Sequence, residues 1–280
     1  MAAQSWAGSG SGGRDAVNEI APWIATLARI GYAAKGTVYL IIGLFAARAA
    51  LGMGGDNMGS REALRTIVEQ PFGRVLLGVT AVGLLGYALW RFISSAVDAE
   101  RRGTDAKGLA IRAGHVLSGL AYGSLGVAAV QLLRGRGGGG DGEQAQTWIR
   151  RVLDWPGGRW LVAAAGVFVM GYGAYQLWRA VRADVRKHLD LGSLGARATW
   201  VARLGRFGLA ARGIVFLMLG WLVVQAGRQS SAAQAGGVGD ALDALRGAGG
   251  IWFLAVVAVG LAAYGVYQLV CARYRRIAVT

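Results

Sequence analysis

The 280 residues include one cysteine, three prolines, two histidines and 16% charged side chains. Each shortage removes a class of protein. With Cys271 as the sole thiol there is no disulfide framework, and with only His115 and His188 beside it there is no Cys/His ligand set for a metal. Acids number 15 against 30 Lys and Arg, and none falls inside the long apolar blocks, which argues against proton transport through a carboxylate relay. The sequence has no phosphate-cradling Gly-rich loop ending in Lys-Ser/Thr, no nucleophile elbow and no paired-histidine helix motif. Residues 52–59 are rich in glycine but lack the preceding strand that a dinucleotide fingerprint needs. The connections between blocks are too short to house a soluble catalytic domain. No enzyme activity, cofactor or metal is expected.

What remains is 54% hydrophobic and gathered into blocks. A hydrocarbon core about 30 Å thick needs roughly 20 apolar residues of helix. Six stretches reach that length, at 30–50, 75–96, 113–133, 160–181, 207–226 and 251–272. They are continuous rather than alternating, so barrel strands are excluded and an all-α polytopic membrane protein with six transmembrane helices is expected. Residues 1–22 read as a flexible cytoplasmic tail, with a Ser/Gly run at 8–13 and no secretory signal pattern. When every basic residue is assigned to one membrane face, 19 of the 30 fall on the side of the two termini. This bias places both ends in the cytoplasm of a bacterial inner (plasma) membrane protein. The net charge of +15 then reads as topology and attraction to anionic headgroups, with no nucleic-acid partner.

The chain also repeats itself. Arg29, Gly31, Lys35, Gly36, Tyr39 and Gly43 align without gaps with Arg112, Gly114, Ser118, Gly119, Tyr122 and Gly126, and again with Arg206, Gly208, Arg212, Gly213, Phe216 and Gly220. In the even spans Gly73, Gly86, Tyr87, Trp90 and Arg91 match Gly158, Gly171, Tyr172, Tyr175 and Gln176, then Gly250, Ala263, Tyr264, Tyr267 and Gln268. Three two-span repeats follow, at 23–105, 106–192 and 193–280, together one membrane domain. Between the spans of each repeat lies a short amphipathic segment, at 61–70, 146–154 and, more weakly, 240–246. These segments are expected at the outer membrane surface, with Trp148 and Trp155 at headgroup level. An even number of spans per unit keeps every copy in the same sense, which predicts three helical hairpins with pseudo-threefold symmetry about the membrane normal.

These motifs, Arg-x-Gly followed by Gly-x6-Gly and then Gly-Tyr-x-x-Tyr/Trp-Gln/Arg, resemble the bacterial membrane family catalogued as domain of unknown function 1206. The likeness covers residues 23–276. It implies a bacterial inner-membrane protein and brings no activity, catalytic residue or cofactor. Ser118 departs from the basic residue at Lys35 and Arg212, which puts a strictly threefold basic site in doubt.

The candidate residues follow from the repeat. Gly36, Gly43, Gly119, Gly126, Gly213 and Gly220 are spaced by seven on one helix face, as close helix packing requires, and Tyr87, Tyr172 and Tyr264 are grouped with them as packing residues. The same face with Tyr39, Tyr122 or Phe216 also suits a groove for a lipid tail or another flat apolar ligand. Lys35 and Arg212 lie about 8 Å inside their spans by helical rise. They either snorkel to the headgroups or turn inward with His115 and Ser118 as a basic vestibule for an anion or lipid phosphate. His115 is an interface histidine or a pH-sensing group. Gln176, Gln268 and Arg91 are expected to bridge helices, and Trp90, Trp178, Trp200, Tyr264 and Tyr267 to form an interfacial belt. The leading functional expectation is a structural, lipid-binding or partner-binding membrane component whose partners are membrane lipids and another membrane protein. The alternative is a channel or facilitator for a small solute or anion along the pseudo-threefold axis.

Overall fold

The computed structural model describes residues 11–53, 57, 59–96, 106–136, 139–182 and 198–274. Among them the chain forms eight α-helices and no strand: α1 (Ser11–Ala50), α2 (Ser60–Val68), α3 (Gly73–Ala96), α4 (Ala106–Leu133), α5 (Asp141–Leu153), α6 (Gly158–Arg182), α7 (Ala198–Gln229) and α8 (Val238–Tyr274), with a 3-10 turn at Ala232–Gln234. Six of these, α1, α3, α4, α6, α7 and α8, are long and apolar enough to cross a membrane. Helix α1 already begins at Ser11, inside the Ser/Gly run expected to be flexible. Once the apolar span nucleates the helix, each added residue gains a backbone hydrogen bond for two fixed dihedrals, so propagation outward through Ala16 and Glu19 is inexpensive. Residues 1–10 of that tail, and the basic residues expected at 183–197 and 275–276, lie outside the described residues.

Helices α2 and α5 and the first three turns of α8 are the three short amphipathic segments. In each repeat a residue with positive φ then turns the chain into the even span: Phe72 at 59°, Gly157 at 78° and Gly250 at 74°. Glycine adopts this region without a Cβ clash, whereas Phe72 pays about 1–2 kcal/mol for it. The three segments differ in what covers them: Trp148 of α5 and Trp155 of the turn after it are exposed, whereas the apolar faces of α2 and of the start of α8 are buried. Ala63, Leu64 and Ile67 of α2 are buried, because its apolar face packs on α1, α3 and α4.

The short segments are tied to one another by polar contacts between repeats. Asp141 Oδ2 accepts the Ser60 N–H at 2.5 Å, and its Oδ1 lies 3.5 Å from Arg61 Nε. Asn57 Nδ2 donates to Asp243 Oδ1 at 2.7 Å, and Gln146 Nε2 donates to the Ala235 carbonyl at 3.1 Å. Burial, and then the neighbouring Glu62 carboxylate, push the Asp141 pKa up to about 6.

The spanning helices pack in the order α4, α3, α1, α8, α7, α6. Contacts between repeats (α3 on α4, α6 on α7, α8 on α1) are all extensive. Contacts within a repeat are extensive for α1 on α3 and for α7 on α8, but α4 and α6 do not pack along their length. The repeat is thus expressed in five of the six neighbouring pairs.

Candidate functional site

Lys35 and Arg212 both turn into the protein, with relative exposures of only 3% and 5%. Both side chains therefore point inward, where they meet aromatic rings. Lys35 Nζ lies 5.2, 4.8 and 5.3 Å from the ring centres of Tyr87, Tyr122 and Tyr264. Arg212 Nε donates to the Tyr39 hydroxyl at 2.9 Å, and its Nη1 lies 3.5 Å from the Tyr172 hydroxyl. Its guanidinium carbon stands 4.7 Å from the Phe216 ring centre and 5.4 Å from that of Tyr264. Tyr264 is thus flanked by both cations.

The rings hold one another edge to face. Tyr39 meets Tyr264 at 4.9 Å, Tyr87 meets Tyr122 at 5.0 Å and Tyr32 at 5.4 Å, and Tyr172 meets Phe216 at 5.1 Å. This arrangement sets positive ring edges against negative faces. Negative faces are also what a buried ammonium or guanidinium finds in place of water, at up to about 2 kcal/mol per desolvated contact. Tyr87, Tyr172 and Tyr264, grouped with the glycines as packing residues, are therefore walls of the cation cluster. Tyr264 and Tyr267 are buried rather than interfacial, because the inward face of α8 carries them, while Trp178 and Trp200 are exposed. Ser118 sits within hydrogen-bonding reach of Tyr172, and His115 lies half-buried one turn earlier on α4. Arg91 Nε donates to the Tyr87 hydroxyl at 2.9 Å and Gln268 donates to that of Tyr264. These two bonds run along one helix rather than across two, since residues four apart share a face.

The repeat glycines lie where helices of adjacent repeats meet. A methyl group added at Gly36 would stand 2.8 Å from the Gly265 carbonyl oxygen, and one at Gly213 would stand 3.0 Å from that of Gly173. Gly43 faces Ala258 and Ala262, Gly119 faces Phe92, Gly126 faces Leu85 and Gly220 faces Gly166 and Met170. The arginines that open the second and third repeats have a role the sequence reading missed. Arg112 Nε donates to the Ser95 carbonyl at 2.7 Å, and Arg206 Nε to the Ala180 carbonyl at 2.9 Å. Each caps the C-terminal end of the previous even helix, where unsatisfied carbonyls and the negative end of the helix dipole favour a cation. The signal was there: a basic residue at one repeat position, always at the end of a span.

The profile described as Domain of Unknown Function (DUF1206) matches this chain three times, at residues 30–98, 113–183 and 207–275. The chain belongs to the DUF1206 family. Its relatives include a protein of Bacillus subtilis (strain 168) described as uncharacterized protein YxxB, 32% identical over 259 residues, which cover 92% of this chain and 93% of that one. No solved structure matches.

The second DUF1206 repeat differs from its neighbours at the contact between its own two helices. A methyl group added at Gly31 would lie 2.5 Å from Tyr87 Cβ, and one at Gly208 would lie 2.6 Å from Tyr264 Cα, so in the first and third repeats backbone touches backbone. At Gly114 the nearest atom would be the ring edge of Tyr172, 3.8 Å away. The partner position explains the difference. It is Gly83 in the first repeat, Gly260 in the third and Phe168 in the second. At Gly83 and Gly260 the odd helix comes close enough that an added Cβ would press on Ile30 and Ala34, or on Ala211. Phe168 does not offer the bare backbone that the two glycines do.

Proposed function

We propose that this DUF1206 protein is a multi-pass component of the bacterial inner membrane that binds an anionic membrane lipid, with both termini in the cytoplasm and no chemistry of its own. The observation that carries this reading is the pair of buried cations, Lys35 and Arg212, around Tyr264, in a protein whose apolar spans contain no Asp or Glu. A charged side chain within the bilayer costs at least about 2.5–3.5 kcal/mol, and phenol rings offset that cost without cancelling the charge. A phosphate brought to the pair would supply negative charge and acceptor oxygens where the guanidinium is already oriented by Tyr39 and Tyr172.

The test is native mass spectrometry of the full chain, purified in mild detergent and offered phosphatidylglycerol or phosphatidylcholine. The wild type is expected to retain phosphatidylglycerol at least tenfold better than Lys35→Gln/Arg212→Gln, with little retention of the zwitterionic lipid by either. Equal retention by both proteins would remove the reading. Anion flux through reconstituted vesicles, lost in the same double variant, would replace it with the facilitator.

A further inference from the structure

We propose that the gap between α4 and α6 in the second repeat holds one acyl chain of the bound anionic phospholipid, with its phosphate at the Arg212 end of the cluster. This rests on the lipid-binding reading above and adds where the lipid lies and why a free anion does not suffice. Four observations carry it.

The first is the packing. Five of the six neighbouring pairs of spanning helices are extensively packed, and the sixth, α4 with α6, is not. The second is what happens to repeat-equivalent side chains at that seam. Val38 and Val215 are buried in the first and third repeats, while their counterpart Ala121 is exposed; Thr80 and Val257 are buried, while their counterpart Ala165 is exposed. The third is the wedge: Phe168, itself 48% exposed, occupies the position of Gly83 and Gly260.

The fourth observation is where the gap leads. The Tyr172 ring reaches across the gap to Gly114 and Ser118, and the Tyr172 hydroxyl is the one that meets Arg212 Nη1. From Tyr172 to Ala165 the α6 wall rises about 10 Å at 1.5 Å per residue. Any exposed apolar face of a spanning helix meets bulk lipid. This one differs because its closed end is a tyrosine bonded to a buried guanidinium. An inorganic anion would satisfy the cation and leave the apolar walls open, whereas a phospholipid matches both. Its phosphate would lie toward the cytoplasmic end and its chain toward the bilayer centre, as a lipid of that leaflet is oriented.

The experiment reconstitutes the full chain into vesicles containing phosphatidylglycerol with a photoactivatable group in the acyl chain, then maps the labelled peptides after irradiation. Label is expected on α4 near Ala121 and on α6 near Phe168, several-fold above the lipid-facing side of α8 around Val256 and Val259. Phosphatidylcholine carrying the same chain should label there several-fold less. Ala121→Trp, which fills the gap, is expected to abolish that label while the helical circular dichroism is kept. Phe168→Gly, which lets the helices approach, is expected to reduce it as well and serves if the first variant does not fold. Label spread evenly over the exposed helix faces, or unchanged in the variants, would overturn the proposal, and cross-links joining two chains would assign the seam to a second copy instead. If phosphatidylglycerol is retained and lost with the cation pair while the chain labels elsewhere, lipid binding stands and the seam falls. If it is not retained at all, both fall.

Discussion

Gly31, Gly114 and Gly208 hold one repeat position and meet different neighbourhoods, so the same substitution should do different things at each. Alanine at Gly31 or Gly208 would press into Tyr87 or Tyr264, and overpacking of this kind costs about 1–3 kcal/mol. At Gly114 the added methyl has room, and replacing a mid-helix glycine should stabilise by about 0.5–1 kcal/mol. Cys271 offers the measurement, since it is only 1% exposed and becomes reactive to a maleimide when its surroundings open. The two tight variants are expected to label at lower temperature than the wild type and Gly114→Ala at an equal or higher one. A uniform shift at all three would mean that the second hairpin is as close as the others. The glycines themselves were legible in the sequence, because all three hold one repeat position, two residues after the opening arginine. Which of them touch backbone was not legible from the odd helices alone, because the answer lies across the contact, in Gly83, Phe168 and Gly260.

At the scale of single elements, the first and second hairpins are joined through Asp141, which α5 holds against the first turn of α2. Its pKa rises on folding from 3.8 to about 6, so the folded state binds the proton more tightly than the unfolded one. The stability it contributes is therefore fully present below about pH 4 and is lost as pH rises through 6, by at most about 3 kcal/mol. Thermal unfolding followed by circular dichroism should give a midpoint several degrees higher at pH 5 than at pH 7.5, and Asp141→Asn should flatten that difference. An unchanged pH dependence in the variant would place its origin elsewhere. The short helices were readable as amphipathic segments, but the fate of their apolar faces was not. Leu64 and Ile67 could have faced headgroups or helices equally well by periodicity, and only the neighbouring α1, α3 and α4 decide that they face helices.

For the whole molecule, the packing of α1 on α8 makes the first and last repeats neighbours. A chain ending at residue 192 would lose the surfaces that cover Gly36, Gly43 and Tyr39. It is expected to aggregate or be degraded, as measured by size-exclusion elution in detergent and by protease resistance. A monodisperse, resistant two-repeat product would show that the repeats stack independently instead.

The sequence by itself determined that this is an all-helical chain with six membrane-length helices in three repeats, because span length and repeat spacing are properties of the chain read along one dimension. It also supplied the basic residues and tyrosines from which the site is made. The tertiary structure decided that Lys35 and Arg212 point inward to share Tyr264, that the opening arginines cap the preceding helices, and that the second hairpin stands apart around Phe168. Each of these depends on which side chain meets which across a helix contact, and the energy of burying a charge or fitting a ring is set by the neighbour as much as by the residue.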